Sequence, residues 1–270
     1  MNELFSVKDK VVVMTGGTGV LGRCISAYLA EQGAKMVVIG RNGKKGAEII
    51  DGINAKGGEG IFIEADVLDT ASVQKACDLV MERYGQVDAL LNAAGGNMPG
   101  ATISPQGTLF DVSATDFEKV LNVNLTGSVI PTQIFLKPMI KARKGSIVNF
   151  SSMSAFRPLS RIMGYSAAKA GVSNFTAFMA NEIATKFTPG IRVNAIAPGF
   201  ILTSQNKDLL TNPDGTLTQR GQDVIRQTPF KRFGKPEELC GTIQYLISDA
   251  STFVTGTVAV VDGGFNVFSI

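Results

Sequence analysis

Seven short apolar, mostly β-branched runs alternate with longer amphipathic stretches, and this alternation restricts the fold of the chain more than any other feature. The runs lie at residues 11–13, 36–39, 60–63, 87–91, 146–150, 192–195 and 257–261, each bounded by Gly, Asn, Asp or Pro. Continuous apolar runs of this length suit strands buried on both faces. Helical segments are expected between them at 21–32, 46–55, 72–84, 114–143, 165–187 and 236–248. Strand, helix, strand repeated in this way calls for crossover connections and a parallel sheet covered on both faces. The expectation is an α/β protein: a three-layer αβα sandwich with a seven-stranded parallel sheet, in one domain over residues 1–270, with no repeat, linker or low-complexity segment.

Two segments break the alternation. Residues 95–110 are rich in Gly, Pro, Ser and Thr, and residues 200–233 are polar and contain Asn212-Pro213-Asp214-Gly215, a turn signal. Both follow expected strands. In an open parallel sheet ligands bind beyond the carboxyl ends of the strands, so both segments are candidates for substrate contacts and a lid.

Composition narrows the chemistry. The chain has no histidine, which removes Ser-His-Asp and Cys-His nucleophile systems, the HExxH zinc helix and any imidazole acid or base. Proton transfer then falls to Tyr, Lys, Ser, Asp, Glu or a cofactor. Cys24, Cys77 and Cys240 are too scattered for a disulfide framework or a zinc site, and no metal is expected. The formal charge of +3 comes without a basic run, so neither nucleic acid nor an anionic membrane is called for. The apolar run at 11–14 is too short for a leader or a membrane span. A cytoplasmic location is expected.

The first run leads into Thr15-Gly16-Gly17-Thr18-Gly19-Val20-Leu21-Gly22 and then a helix. Gly17-x-Gly19-x-x-Gly22 in this strand-turn-helix setting suits close approach to a pyrophosphate, whose charge meets the helix N-terminal amides. The sandwich is therefore expected to be Rossmann-type. After the second strand comes Gly40-Arg41-Asn42, and no acid occurs from Gly33 to Ala47. An acid there would serve the ribose of NAD, whereas Arg41 suits a 2′-phosphate. NADP(H) is the preferred cofactor, with NAD(H) retained; Arg41 stacked on adenine or facing solvent is the alternative.

Tyr165-Ser-Ala-Ala-Lys169 sets a phenol and an ammonium four residues apart on one helix face, and the strand at 146–150 runs into Ser151-Ser152. Together with the glycine loop, Asn92-Ala93-Ala94-Gly95, Asn122-Val123-Asn124-Leu125, Ser152 thirteen positions before Tyr165, and Pro198-Gly199 followed by Thr203, these residues resemble the short-chain dehydrogenase/reductase family along nearly the whole chain. One position departs from the family's TGxxxGxG pattern: Val20 stands where the glycine is usual. The resemblance implies a catalytic set of Asn124, Ser152, Tyr165 and Lys169. Tyr165 would give or take the proton, its pKa lowered by Lys169 and the oxidised nicotinamide; Ser152 would bind the substrate oxygen; Asn124 would hold a relay water; Lys169 would also bind the nicotinamide ribose. It further implies cofactor contacts from Thr15 to Leu21, Arg41 and Asn42, Asp66 and Val67, Asn92 to Gly95, Tyr165 and Lys169, and Pro198, Gly199, Ile201 and Thr203. Family members are commonly tetramers, which implies a homotetramer in which the helices at 114–143 and 165–187 pair across subunits.

A narrower resemblance lies in the loops. Gly95-Gly96-Asn97, Ser151-Ser152-Met153, Ala197-Pro198-Gly199-Phe200, Gln205-Asn206 and Val261-Asp262-Gly263-Gly264-Phe265 are similar to the branch described as D-mannonate oxidoreductases, or fructuronate reductases. This implies reversible reduction of the keto group of a sugar acid, D-fructuronate to D-mannonate. Asn97, Ser154, Arg161, Gln205 and Asn206 offer the amides, hydroxyl and cation that such a substrate needs. Arg161 is the first candidate for its carboxylate and Arg157 the rival. Two other readings stay open: a ketoreductase acting on sugars, polyols or 3-oxoacyl thioesters, and a nicotinamide-binding sensor without turnover.

Overall fold

The computed structural model describes residues 3–203 and 206–269; Gln205 lies outside the described residues. Its strands are β1 (Val11–Thr15), β2 (Lys35–Gly40), β3 (Glu59–Glu64), β4 (Ala89–Asn92), β5 (Gly145–Phe150), β6 (Ile191–Pro198) and β7 (Val258–Val261). They form one sheet in the order β3-β2-β1-β4-β5-β6-β7, with every neighbouring pair parallel. The helices are α1 (Val20–Glu31), α2 (Gly43–Asn54), α3 (Thr70–Tyr84), α4 (Ala114–Leu121), α5 (Gly127–Ala142), α6 (Met163–Lys186), α7 (Lys207–Leu210), α8 (Gln219–Gln227) and α9 (Cys240–Ile247). No helix among the described residues is long and apolar enough to cross a membrane.

The apolar runs serve both faces at once, as buried parallel strands must. Val12, Met14, Met36, Val38, Leu91 and Val148 meet Ile25 and Leu29 of α1, Ile53 of α2 and Ile243 and Leu246 of α9. The alternate residues Val11, Val13, Val37, Ile39, Leu90 and Ile147 meet Val73 and Val80 of α3, Phe135 and Met139 of α5, and Ile183 of α6. Each such side chain contributes about 1.5–3 kcal/mol of burial. The three-layer seven-stranded architecture expected from the sequence is the one found.

Helix ends follow their residues. Asp69 caps α3 by accepting from Ala71 N and Ser72 N, and Gly85 ends it at φ +71°. Asn42 caps α2 by accepting from Lys45 N at 2.9 Å.

Three segments differ from expectation. The helix expected at 114–143 is interrupted by a π-helical turn, Asn122–Thr126, between α4 and α5. The stretch at 236–248 opens as a 3₁₀ turn, Pro236–Leu239, before α9. The segment at 200–233, expected as an irregular loop, contains α7 and α8 and is pinched at its base, where Leu202 N donates to Gly234 O at 3.0 Å and Gly234 N to Phe200 O at 2.9 Å. Its predicted turn is present: Asn212 N donates to Thr216 O at 2.7 Å, with Gly215 at φ +85°.

Candidate active site

The strand order reverses direction between β1 and β4, and the chains leaving the carboxyl ends of β1, β4, β5 and β6 part to form a cleft of about 830 Å³. This is the crevice where an open α/β sheet offers a binding site.

The glycine loop forms one wall. Gly16 turns at φ +66°, and a methyl group there would lie 2.6 Å from Ala93 O and Ala94 N. A methyl on Gly17 would meet Val38 Cγ1 at 2.7 Å, and one on Gly22 would meet Gly17 Cα at 2.6 Å. Each glycine is needed for close packing of loop, strand and helix. Gly19 is the N-cap of α1 and no side chain caps it, so the first amides of that helix face the cleft beside Thr18, Val20 and Leu21. A cradle of bare amides at a helix N-terminus fits a pyrophosphate. Val20 begins α1 and lines the cleft.

At one end stand Arg41, Asn42, Lys45, Asp66 and Val67. Arg41 Nη1 is 4.0 Å from Asp66 Oδ2, and its side chain is 75% exposed, free to turn toward a ligand. The sequence reading missed Lys45, a second cation in the first turn of α2; the Lys44-Lys45 pair beside Arg41 was the available signal.

At the other end the candidate catalytic residues come together. Ser152 follows β5 in extended conformation, its Oγ accepting from Ser154 N at 3.2 Å. Tyr165 and Lys169 sit one turn apart on α6, with Lys169 Nζ 5.5 Å from the phenol ring centre. Lys169 is buried and donates to Phe150 O at 2.7 Å. Asn124, in the π-helical turn, is fully buried; its Nδ2 donates to Gly96 O at 2.7 Å and Val120 O at 2.8 Å, and its Oδ1 accepts from Gly96 N at 3.2 Å. Such turns are frequently placed at functional sites because they re-aim a side chain.

Burial decides the electrostatics. It pushes Lys169 down from 10.5 to about 8. The Tyr165 phenol, expected to be lowered, is instead raised by burial, and only hydrogen bonding with Ser152 offsets this. The protein's own groups therefore keep Tyr165 protonated.

Of the other expected contacts, Ala93, Ala94, Gly95, Pro198, Gly199, Ile201, Thr203 and Asn206 line the cleft. Asn206 also braces its own loop, accepting from Thr203 N at 2.8 Å and donating to Ile201 O at 2.8 Å. Thr15, Gly17 and Asn92 stand behind the lining. Asn92 donates to Thr132 Oγ1 and Asn149 Oδ1, both at 2.9 Å, in a buried network that fixes the end of β4. Asn97, Ser154, Arg157 and Arg161 are not in the cleft wall. Asn97 Nδ2 donates to Thr102 Oγ1 at 2.8 Å. Ser154 is buried and its hydroxyl has no partner. Arg157 stacks 4.8 Å from the Phe265 ring centre and bonds Phe265 O and Gln227 Oε1. Arg161 donates from Nε to Ile103 O and adopts φ +76°, a conformation that costs a non-glycine residue roughly 1–2 kcal/mol. Phe200, the last residue of the Ala197-Pro198-Gly199-Phe200 segment, also lines the cleft, as do Met98 and Lys119, which no motif announced.

The family model for short chain dehydrogenases matches residues 10–214. The chain belongs to the short-chain dehydrogenase family. It is thus an oxidoreductase, with a fold and cleft suited to a nicotinamide dinucleotide and to chemistry at CH–OH groups. An uncharacterized oxidoreductase, UxuB, of Bacillus subtilis (strain 168) is 44% identical over 273 residues, covering 98% of this chain and 97% of the relative. A Haemophilus influenza protein provisionally assigned as a D-mannonate oxidoreductase, solved with bound NAD, is 37% identical with a TM-score of 0.92, covering 98% and 97% of the two chains. A gluconate 5-dehydrogenase of Burkholderia cenocepacia J2315, solved with NADP and tartrate, is 29% identical with a TM-score of 0.87, covering 99% of each chain. Further short-chain dehydrogenase relatives at 32–35% identity are named 3-oxoacyl-[acyl-carrier-protein] reductases.

Proposed function

We propose that this short-chain dehydrogenase reversibly reduces the keto group of a sugar acid, D-fructuronate to D-mannonate, with NADP(H) preferred over NAD(H). The observation that carries the reading is the gathering of Ser152, Tyr165 and Lys169 at the strand ends of a chain 37% identical, over nearly its full length, to the provisionally assigned D-mannonate oxidoreductase. The bound dinucleotide supplies and accepts the hydride. Tyr165, held protonated by burial, gives its proton to the substrate oxygen during reduction. Ser152 donates to the same oxygen as negative charge develops on it. Lys169, its Nζ 5.5 Å from the phenol ring centre, and Asn124 are the groups that would return a proton to the phenol.

The cofactor preference rests on Arg41 and Lys45, two cations at the end of the cleft beyond β2. Asp66, 4.0 Å from Arg41, is their one close acid among the ion pairs of the described residues. Guanidinium and ammonium beside one another suit a 2′-phosphate. We read the chain as a single dinucleotide-binding unit, acting in the cytoplasm as a homotetramer. Exposed apolar side chains on α6 (Phe178) and β7 (Val260) support the assembly.

The test is a panel of ketoacids and ketoses, with a 3-oxoacyl thioester included, followed at the nicotinamide absorbance with NADPH and with NADH. The expected result is the highest kcat/KM for the uronate. A 3-oxoacyl thioester ranked above every sugar acid would replace this reading with the acyl reductase.

A further inference from the structure

The polar helix α8 carries Gly221 and Val224 as its buried residues, and Arg220, Val224 and Gln227, at spacings of four and three, share the face turned toward the protein. Gln227 Oε1 accepts from Arg157 Nη2 at 3.3 Å, so this face packs on the segment between Ser152 and Tyr165. Arg161 belongs to that segment and is tied to the third wall, the loop after β4: Ile103 N donates to Arg161 O at 2.9 Å, and Arg161 Nε donates to Ile103 O. Three loops that follow β4, β5 and β6 therefore meet near Arg161 and Arg220, just outside the cleft wall.

The pairing is unusual because it brings like charges together. Arg220 Nε is buried and has no hydrogen-bond partner, an expensive position for a guanidinium. Burial and the neighbouring Arg161 both act against its charge. The closest acid, Asp223, offers little relief: its Oδ1 is engaged by Arg226 Nη2 at 3.0 Å and Gln219 Nε2 at 3.2 Å. Arg157, the other cation of the region, is committed to Phe265 and Gln227. Two neighbouring guanidinium groups with unused donors favour an anion between them, and a planar carboxylate matches the fork of a guanidinium.

We propose that Arg220 and Arg161 form a two-arginine clamp for the carboxylate of the substrate, with Arg220 the residue that selects an acid over a neutral sugar. The clamp deepens the sugar-acid reading and rests on it. Arg161 spends only Nε, on Ile103 O, and Arg220 arrives on the segment whose base, at Phe200, Ile201, Thr203 and Asn206, lines the cleft. Binding of the acid would thereby draw that segment onto the body of the protein.

The experiment measures equilibrium binding of D-mannonate and neutral D-mannitol to the full chain loaded with reduced dinucleotide, which cannot oxidise either. Arg220→Ala is expected to weaken mannonate at least tenfold, the range of a lost charge-assisted hydrogen bond, and mannitol less than twofold. Arg220→Lys should recover part of the mannonate affinity, and melting temperatures check that the variants fold. Equal affinity for mannonate in wild type and Arg220→Ala, or equal losses for acid and polyol, would overturn the clamp. The same comparison with gluconate and tartrate separates the two ideas. Dependence on Arg220 for these acids without any uronate turnover keeps the clamp and removes the substrate reading. Uronate turnover unaffected by Arg220→Ala does the reverse.

Discussion

Lys169 Nζ donates to Phe150 O at 2.7 Å, tying the first third of α6 to the residue that ends β5, two positions before Ser152. The bond fixes the distance between the helix that carries the phenol and the strand that carries the hydroxyl. It also holds a cation where burial disfavours one.

That cost has a sign and a window. The folded ammonium loses its proton near pH 8, the unfolded one near 10.5. Below pH 8 both states are charged and the fold bears the full cost, on the order of 3 kcal/mol for a shift of this size. The cost fades as pH rises from about 8 to 10.5 and is gone above. Lys169→Met is therefore expected to stabilise the protein by about 1–2 kcal/mol at pH 7, after loss of the Phe150 bond, while abolishing turnover. Denaturant melts at pH 7 and pH 10 check this; a destabilised variant at pH 7 would count against it.

The pH profile of reduction should follow the same group. Tyr165 stays protonated through neutral and mildly alkaline pH because burial raises it. Turnover at saturating dinucleotide is expected to fall above about pH 8 as Lys169 discharges, with no inflection near 6.5, where a histidine would titrate. A profile flat to pH 10 would remove Lys169 from the proton step.

Gly95 and Asn124 leave each other no room. A methyl at Gly95 would lie 2.5 Å from Asn124 Oδ1 and 3.5 Å from Lys169 Nζ. Gly95→Ala is expected to cost about 1–3 kcal/mol of stability, as overpacking does, and at least tenfold in kcat by displacing Asn124. Gly96→Ala meets nothing within 4 Å and should melt within about 0.5 kcal/mol of wild type. Similar losses in both variants would contradict the packing argument.

Arg41→Ala should weaken NADPH at least tenfold and NADH less than threefold, measured by fluorescence titration. Equal losses would leave Arg41 a stacking or solvent-facing residue.

The strands were legible because buried parallel strands need short continuous apolar runs, and all seven runs became strands. The π-helical turn at Asn122–Thr126 was not, since one extra residue per turn leaves the helical pattern on either side intact. α8 escaped because it is polar on most of its surface and is held by tertiary contacts; the signal lay in Arg220, Val224 and Gln227 on one face. The cleft residues with motifs, from Gly16 to Lys169, were readable as positions but not as electrostatics. Whether Tyr165 is raised or lowered depends on burial, which no spacing reports. Asn97 and Arg157 have suitable chemistry, yet their groups are spent on Thr102 and Phe265.

The most direct measurement is turnover by Tyr165→Phe beside its dinucleotide affinity. With no histidine in the chain, the phenol is the proton donor that the geometry offers to a substrate oxygen bound at Ser152. The account predicts kcat for keto-acid reduction reduced at least a thousandfold, with the dinucleotide dissociation constant within threefold of wild type. Retention of more than a tenth of the wild-type kcat would contradict it.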